Sequence, residues 1–420
     1  MQLTNELIEQ CRQQFPALAR TVNGSPAIFL DGPAGTQVPQ RVIDAMVRYL
    51  SHCNANHGGL FPTSMESDLM LAEAHRALAD LLGVEDSDEV AFGANMTSLT
   101  FALARSLARN WSAGDEIVVT RLDHDANVSP WVLAAEDAGV KVHFVGLRSD
   151  DYTLDLEDLQ SKLSEKTRLV AVGCASNASG GINPVQDICR WAHDAGSLVF
   201  LDAVHYAPHR LIDVPAWDCD FLACSTYKFF GPHVGVCWGR RELLEDLTAY
   251  KVRPADNGLP DKWMTGTQNH EGIAGALAAV NYLADLGCQL KGEEDLARRT
   301  ALETTFAAIE QYETELARQL LEGLNAIDEI KVWGISDVDR LGERVPTVSI
   351  THDNLTAAQL AERLGQQGIF AWHGNYYALE FTESLGLEPD GMLRIGLVHY
   401  NTAEEVERLR ESLVEISATT

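Results

Sequence analysis

Positive charge is what this 420-residue chain has least of: 32 Lys and Arg stand against 61 Asp and Glu, a formal net charge of −29 at pH 7. A surface of that sign repels a polyanion, which excludes a nucleic-acid partner. The acidic residues are dispersed rather than run together, so the excess reads as a solvated face. Paired cysteines are missing as well. The eight cysteines (11, 53, 174, 189, 219, 224, 237 and 288) form no CxxC and no metal-finger spacing, and they read as reduced thiols of a cytoplasmic protein. No stretch reaches the ~18–20 apolar residues of a membrane span, so no membrane partner is expected. The opening MQLTNELIEQCRQQFPALAR has no basic segment ahead of an apolar run, and no signal peptide is expected from it. Internal repeats and low-complexity tracts are absent. What remains, with 46% apolar and 22% charged residues, is an ordinary globular composition, long enough for two or three domains.

Between residues 85 and 240 short β-branched runs alternate with helical patterns. Seven strands are predicted, at Glu89–Phe92, Glu116–Thr120, Lys141–Val145, Arg168–Gly173, Leu198–Asp202, Asp220–Cys224 and Val234–Trp238. Helices are predicted between them at Ser98–Asn110, Pro130–Ala138, Leu156–Leu163 and Val185–Ala195. Such alternation gives an α/β fold, a mostly parallel sheet covered on both faces. Around Gly266–Asp285 the pattern becomes a small-residue helix, then a charged helical stretch over Glu293–Asn325. Strands at Lys331–Gly334, Thr347–Ile350 and Met392–Gly396, with helices at Ala357–Gln366 and Ala403–Ile416, predict a smaller α+β unit. The expected division is an arm with a Thr4-capped helix over 1–30, grouped with the small unit, a large domain over 31–275 and a small C-terminal domain over 276–420.

Parallel sheets bind ligands at the carboxyl ends of their strands, so the polar residues just past each strand carry the chemistry. Asp202 ends one apolar strand. Lys228 follows the next, in Ser-Thr-Tyr-Lys-Phe-Phe-Gly-Pro. A lysine at the rim of a sheet can be desolvated until its neutral amine forms a Schiff base. A carboxylate one strand over can keep a pyridinium nitrogen protonated and so make a pyridoxal ring an electron sink. The phosphate cradle for such a cofactor is Gly93-Ala-Asn95-Met96-Thr97-Ser98, where a strand gives way to a helix with free N–H groups. Ser225 adds a hydroxyl. Each piece alone has an ordinary use, as a strand-end cap or an N-cap; the signal is their joint occurrence in this order.

These residues resemble the class V aminotransferase family of fold type I enzymes, and within it the cysteine desulfurase-like group, from Phe29-Leu-Asp-Gly-Pro-Ala-Gly-Thr36 to Tyr400-Asn-Thr402. The resemblance implies a pyridoxal 5'-phosphate (PLP) cofactor, an amino-acid substrate and a homodimer with shared active sites. It implies that Lys228 is the Schiff-base lysine, Asp202 the partner of the pyridine nitrogen, His205 a hydrogen-bonding residue on the cofactor, and His124 the histidine that stacks on the ring. Asn177 corresponds to an asparagine near the ring hydroxyl and the substrate carboxylate. Asn95, Met96, Thr97 and Ser225 correspond to the phosphate site, joined by Thr267 from the second subunit. Arg394, in Leu-Arg-Ile-Gly, corresponds to the arginine that grips the substrate carboxylate.

The departures bear on the reaction. Where the desulfurases carry an arginine and, five residues later, the sulfur-accepting cysteine, this chain has Trp372 and Tyr377 in Ala-Trp-His-Gly-Asn-Tyr-Tyr-Ala378. A phenol forms no persulfide. The expected reaction is therefore transamination or α,β-elimination on an amino acid. A desulfurase or selenocysteine lyase that uses another thiol or frees sulfide, and an epimerase, remain alternatives. Trp372, Tyr376 and Tyr377 are read equally as pocket-filling aromatics or as substrate contacts, and His57 in the loop Asn54–Ser64 as a turn residue or a contact with the second subunit's site. Two readings come from other classes. Asp202, His205 and His209 have a spacing that would suit a metal, although Pro208 opposes a regular helix there; no metal is expected. A catalytically silent PLP-fold binding protein would have no need of an intact electron sink.

Overall fold

The computed structural model describes residues 2–420. All seven strands of the large unit form: β1 Val90–Gly93, β2 Glu116–Thr120, β3 Lys141–Val145, β4 Thr167–Gly173, β5 Leu198–Asp202, β6 Phe221–Ser225 and β7 Gly235–Gly239. They lie in the order β1-β7-β6-β5-β4-β2-β3. The pairs β2–β3, β2–β4, β4–β5 and β5–β6 are parallel, whereas β7 runs antiparallel to both of its neighbours, β6 and β1. Both faces are apolar because helices cover both, and every residue of β6 and β7 is buried. The register sets Gly173 beside Asp202 and Asp202 beside Ala223, so the ends of β4, β5 and β6 open onto one place.

The small unit holds a second, antiparallel sheet of β8 Ile330–Trp333, β9 Thr347–His352, β10 Trp372–Gly374 and β11 Met392–Gly396, in the order β8-β9-β11-β10. Its core of Val348, Ile350, Leu393, Ile395, Leu409 and Leu413 also takes in Ile28 and Leu30 from the start of the chain. Ile28–Phe29 pairs with Ile369–Phe370 as a short parallel ladder. Thr4 caps the first helix, Asn5–Gln13, by accepting from Leu7 N at 3.3 Å.

Helices His270–Lys291 and Arg298–Asn325 stand side by side between the two units. The first starts later than the Gly266 boundary expected from sequence, because Asn269 caps it by accepting from Gly272 N at 2.9 Å. Its small residues let the helices meet closely: a Cβ on Gly287 would stand 2.8 Å from Thr305 Oγ1 and run into the Ala301 carbonyl. Contrary to the reading of the sequence, this 22-residue helix reaches the length and hydropathy of a membrane span, but 61% of its apolar window is buried inside the molecule. It packs on helices Gln40–Arg48, Pro62–Leu82 and Arg298–Asn325.

Candidate active site

Where β4, β5 and β6 end, a cavity opens that is lined by Asn95, Met96, Thr97, Asp123, His124, Asn177, Asp202, His205, Ser225, Tyr227 and Lys228. Nine of these are the site residues singled out from sequence; Tyr227 stands out there only as a departure from the histidine of many desulfurases, and Asp123 is an addition. Lys228 closes the 3₁₀ turn Thr226–Lys228 directly after β6. Its Nζ donates to the Pro33 carbonyl and lies 4.9 Å from the centre of the Tyr227 ring. Burial, and to a smaller extent the Arg394 charge, bring its pKa down to about 7, against the opposing pull of Asp202. About half of the amine is thus neutral, and so nucleophilic, near pH 7. The turn is held by Thr36, whose hydroxyl donates to the Tyr227 carbonyl at 3.2 Å and accepts from Phe230 N at 2.8 Å.

Asp202 accepts from Val204 N at 2.8 Å, and burial raises its pKa to about 6 in spite of that bond and of Lys228. Beside it lies Asp123, pushed up to about 8 by burial and by the Asp202 charge. Asp123 accepts from Thr120 Oγ1 at 2.8 Å and from Gly173 N at 2.6 Å, which ties the loop carrying His124 to the end of β4. Asp123 is a strand-end polar residue of the kind weighted in the sequence, masked there by the histidine that follows it. His124 is held far on the neutral side, at about 3, by burial and by the charges of Lys228 and Arg394. Its Nδ1 accepts from Ala126 N at 3.0 Å, and its ring stacks on Tyr377 at 5.4 Å and 26°. His205 is also driven strongly neutral by burial and by neighbouring cations, and its Nε2 meets Thr347 Oγ1 at 3.0 Å.

At the phosphate end, Asn95 caps helix Met96–Ala108 by accepting from Ser98 N at 2.8 Å, and Met96 N donates to Ser225 Oγ at 3.1 Å. The helix start lies hard against β7. A Cβ on Gly235 would stand 2.7 Å from both Cα and O of Asn95.

Arg394, buried in β11, donates from Nη1 to the Asn177 carbonyl at 2.9 Å and rests its guanidinium 4.3 Å from the centre of the Tyr376 ring. Asn177 Nδ2 donates to the Tyr376 carbonyl at 3.0 Å, closing a three-membered arrangement of Arg394, Asn177 and Tyr376. Three buried polar atoms in it have no hydrogen-bond partner, Arg394 Nε, Asn177 Oδ1 and the Tyr376 hydroxyl, and Oδ1 of neighbouring Asp31 is in the same condition. Asn177 lines the cavity, and a buried polar atom left open on a cavity wall suits a polar ligand.

Two sequence candidates lie elsewhere. Thr267 is exposed and away from this cavity. His57 lines a separate hollow with Gly266, Gln268 and His270, its ring 6.0 Å from that of His270. The three residues of the metal reading do not converge: His205 meets Thr347, Asp202 meets Val204 N, and His209 Nδ1 pairs with buried Glu313 at 2.8 Å.

A buried lysine and a buried carboxylate at neighbouring strand ends, a histidine lining the same cavity and a helix start beside a serine hydroxyl define the class: an α/β enzyme of fold type I, built to hold an aldehyde cofactor with a phosphate. The chain belongs to the class V aminotransferase family, whose model, Aminotransferase class-V, matches residues 28–409. It is similar to the probable cysteine desulfurase of Vibrio cholerae, 32% identical over 416 residues, or 96% of each chain. It is equally similar to the aminotransferase-like protein FGM3 of Gibberella zeae, 32% identical over 415 residues and again 96% of each. The apo structure of the cysteine desulfurase from Thermococcus onnurineus NA1 superposes with a TM-score of 0.86 at 26% identity, over 98% of both chains. The family's cofactor is PLP, and this chain is a PLP-dependent enzyme. The donor set fits that group, with an amine for the aldehyde, a carboxylate for the ring nitrogen, hydroxyl and N–H donors for the phosphate, and an open amide oxygen at Asn177.

Proposed function

We propose that the enzyme acts at the Cα of an amino acid, by transamination or elimination with epimerisation as the alternative, and passes no sulfur to a cysteine of its own. The observation that carries this reading is that no cysteine lines the cavity; Tyr377, which the resemblance matches to the acceptor cysteine, stacks on His124. The nearest thiols, Cys174 and Cys224, are fully buried in or beside β4 and β6, and burial raises both well above the ordinary thiol range. A thiol held protonated is a poor nucleophile.

When bound, PLP supplies an electron sink that stabilises negative charge at Cα. Lys228 holds the cofactor and afterwards moves the proton at Cα, a role suited to an amine whose pKa is near 7. Asp202 would hold a proton on the ring nitrogen, and His124, His205 and Asn177 would hold the ring in place. Asn95, Met96, Thr97 and Ser225 hold the phosphate at the helix start. Arg394 takes the substrate carboxylate on the guanidinium edge that includes its unpartnered Nε, a geometry suited to a paired, charge-assisted hydrogen bond. We assign the exposed apolar row of Ile43, Val47, Leu50, Leu60, Phe61, Met65 and Leu69 to a homodimer contact, Leu60 being wholly exposed in the single chain. That contact is where Thr267, and with it His57, would reach the second subunit's site. Eight free cysteines suit a reducing, cytoplasmic setting.

The test is an amino-acid panel on the PLP-loaded protein, with Lys228→Ala as the blank. Keto acid without ammonia marks transamination, keto acid with ammonia marks elimination, and α-deuterium exchange with neither marks epimerisation. Equal product from Lys228→Ala, or no reaction with any amino acid, refutes the assignment.

A further inference from the structure

Once a carboxylate lies on Arg394, the third substituent at Cα has to lie along whatever borders that arginine on the side of the cavity mouth. Two aromatic residues adjoin the arginine and the cavity, Trp372 beside Arg394 and Tyr377 against His124. Trp372 sits directly opposite Arg394 in the β10–β11 ladder, and opposed residues of an antiparallel pair project from the same face of the sheet. Trp372 is 53% exposed, although its neighbour Arg394 is buried. Tyr377 is 71% exposed and stacks on His124, which lines the cavity.

The Tyr377 ring is held beside His124 by backbone geometry. Tyr376 and Tyr377 both have left-handed φ, +55° and +61°. Successive non-glycine residues hold that conformation only where the surroundings enforce it. Here the Tyr376 carbonyl accepts from Asn177 Nδ2 at 3.0 Å and the Tyr377 carbonyl from Asp125 N at 2.6 Å, which latches the loop to the strand-end loops of the large unit. Asn375 Oδ1 accepts from Tyr377 N at 3.1 Å and braces the turn from within. The same latch puts Tyr376 under the guanidinium.

Charge at the rim is already committed. Arg121, just past β2, pairs with Glu380 at 2.5 Å, and His124 is neutral, so neither offers a free cation to a second carboxylate. A site with a cation at its base and two rings at its rim is complementary to an amino acid with a large apolar side chain. We infer that Trp372 and Tyr377 form an aromatic wall that selects amino acids bearing aromatic or bulky apolar side chains over cysteine and other small ones. The inference rests on the assignment of the substrate carboxylate to Arg394.

The experiment titrates the PLP-loaded protein with L-phenylalanine, L-leucine, L-alanine and L-cysteine, reading half-saturation from the change in the cofactor's visible absorbance, and then measures kcat/KM for those that react. Phenylalanine and leucine are expected to half-saturate at least about tenfold lower than alanine and cysteine. Trp372→Ala should raise the phenylalanine value about tenfold and leave the alanine value within about twofold, while Trp372→Phe keeps the preference. Tyr377→Ala should act in the same direction. Thermal unfolding of each variant separates a folding defect from a lost contact, and Tyr377→Ala carries the test if Trp372→Ala is unstable. Alanine or cysteine binding as tightly as phenylalanine overturns the wall, as does a preference untouched by Trp372→Ala. So does dissociation of the dimer on Trp372→Ala with the preference unchanged, which would give the rings to the subunit contact. No absorbance change with any amino acid overturns the carboxylate assignment itself.

Discussion

Adding a single methyl group at Gly235 tests whether the phosphate end of the site depends on close backbone approach. Gly235 starts β7 and pairs with Ser225 on one side and Gly93 on the other. A Cβ there would meet the backbone of Asn95, 2.7 Å from both Cα and O, and backbone cannot swing aside as a long side chain can. The first turn of helix Met96–Ala108 would have to move by roughly an ångström to restore ordinary contact, at an overpacking cost of about 1–3 kcal/mol. That displacement pulls Met96 N from Ser225 Oγ, now 3.1 Å away, and turns the N–H groups away from the phosphate position. Gly235→Ala should therefore lower the urea midpoint of the apo-protein and raise the Kd for PLP at least about tenfold, each 1.4 kcal/mol being a factor of ten. Gly365→Ala is the control. It has nothing within 4 Å of its Cβ and lies in helix Ala357–Gln366, where replacing glycine gains about 0.5–1 kcal/mol. A Gly235→Ala protein with wild-type stability and PLP affinity would refute the placement of the phosphate at this helix start.

Two further outcomes follow from the buried titratable groups. The Lys228 pKa, brought down from 10.5 to about 7, means that the neutral amine accumulates as pH rises through 7. Covalent capture of PLP by the apo-protein should accelerate with pH and reach half its maximum near pH 7, as followed by stopped-flow absorbance. A midpoint near 10 would show a solvated lysine. The sign for stability is the same: between about 7 and 10.5 the unfolded chain binds more protons at this residue than the folded one, so its contribution to apo-protein stability rises with pH across that window and is absent in Lys228→Met. Glu313, buried in the middle of helix Arg298–Asn325, pairs with His209 at 2.8 Å. Glu313→Ala leaves that histidine buried without its partner and should cost about 3–5 kcal/mol in urea unfolding. Glu407→Ala, which cuts an exposed pair with Arg410, should leave the midpoint unchanged.

Much of this was legible in the sequence because parallel strands buried on both faces are written as continuous apolar runs, and each of the seven begins or ends within one residue of its expected place. Strand direction is not written that way, so the antiparallel course of β7 emerges only from the ladder. β10 is three residues long, too short to show an alternation, and its pairing with β11 is what sets Trp372 beside Arg394. Lys228 and Asp202 were legible because they stand at strand ends, whereas His124 was legible only through the family resemblance. Tyr376 stood out but its role stayed open, since its place depends on a left-handed backbone and a ring beneath an arginine, neither of which leaves a pattern in residue order. Thr267 shows the limit of a single chain, because its expected role needs a second subunit.

The central claim, chemistry at Cα with no sulfur handed to the chain itself, is tested most directly by intact-mass analysis of the PLP-loaded protein after turnover with L-cysteine and no reductant. The expected result is an unmodified chain, whether or not sulfide is released to solution. A chain heavier by one sulfur atom on any of its eight cysteines, lost again on adding thiol, would contradict the account.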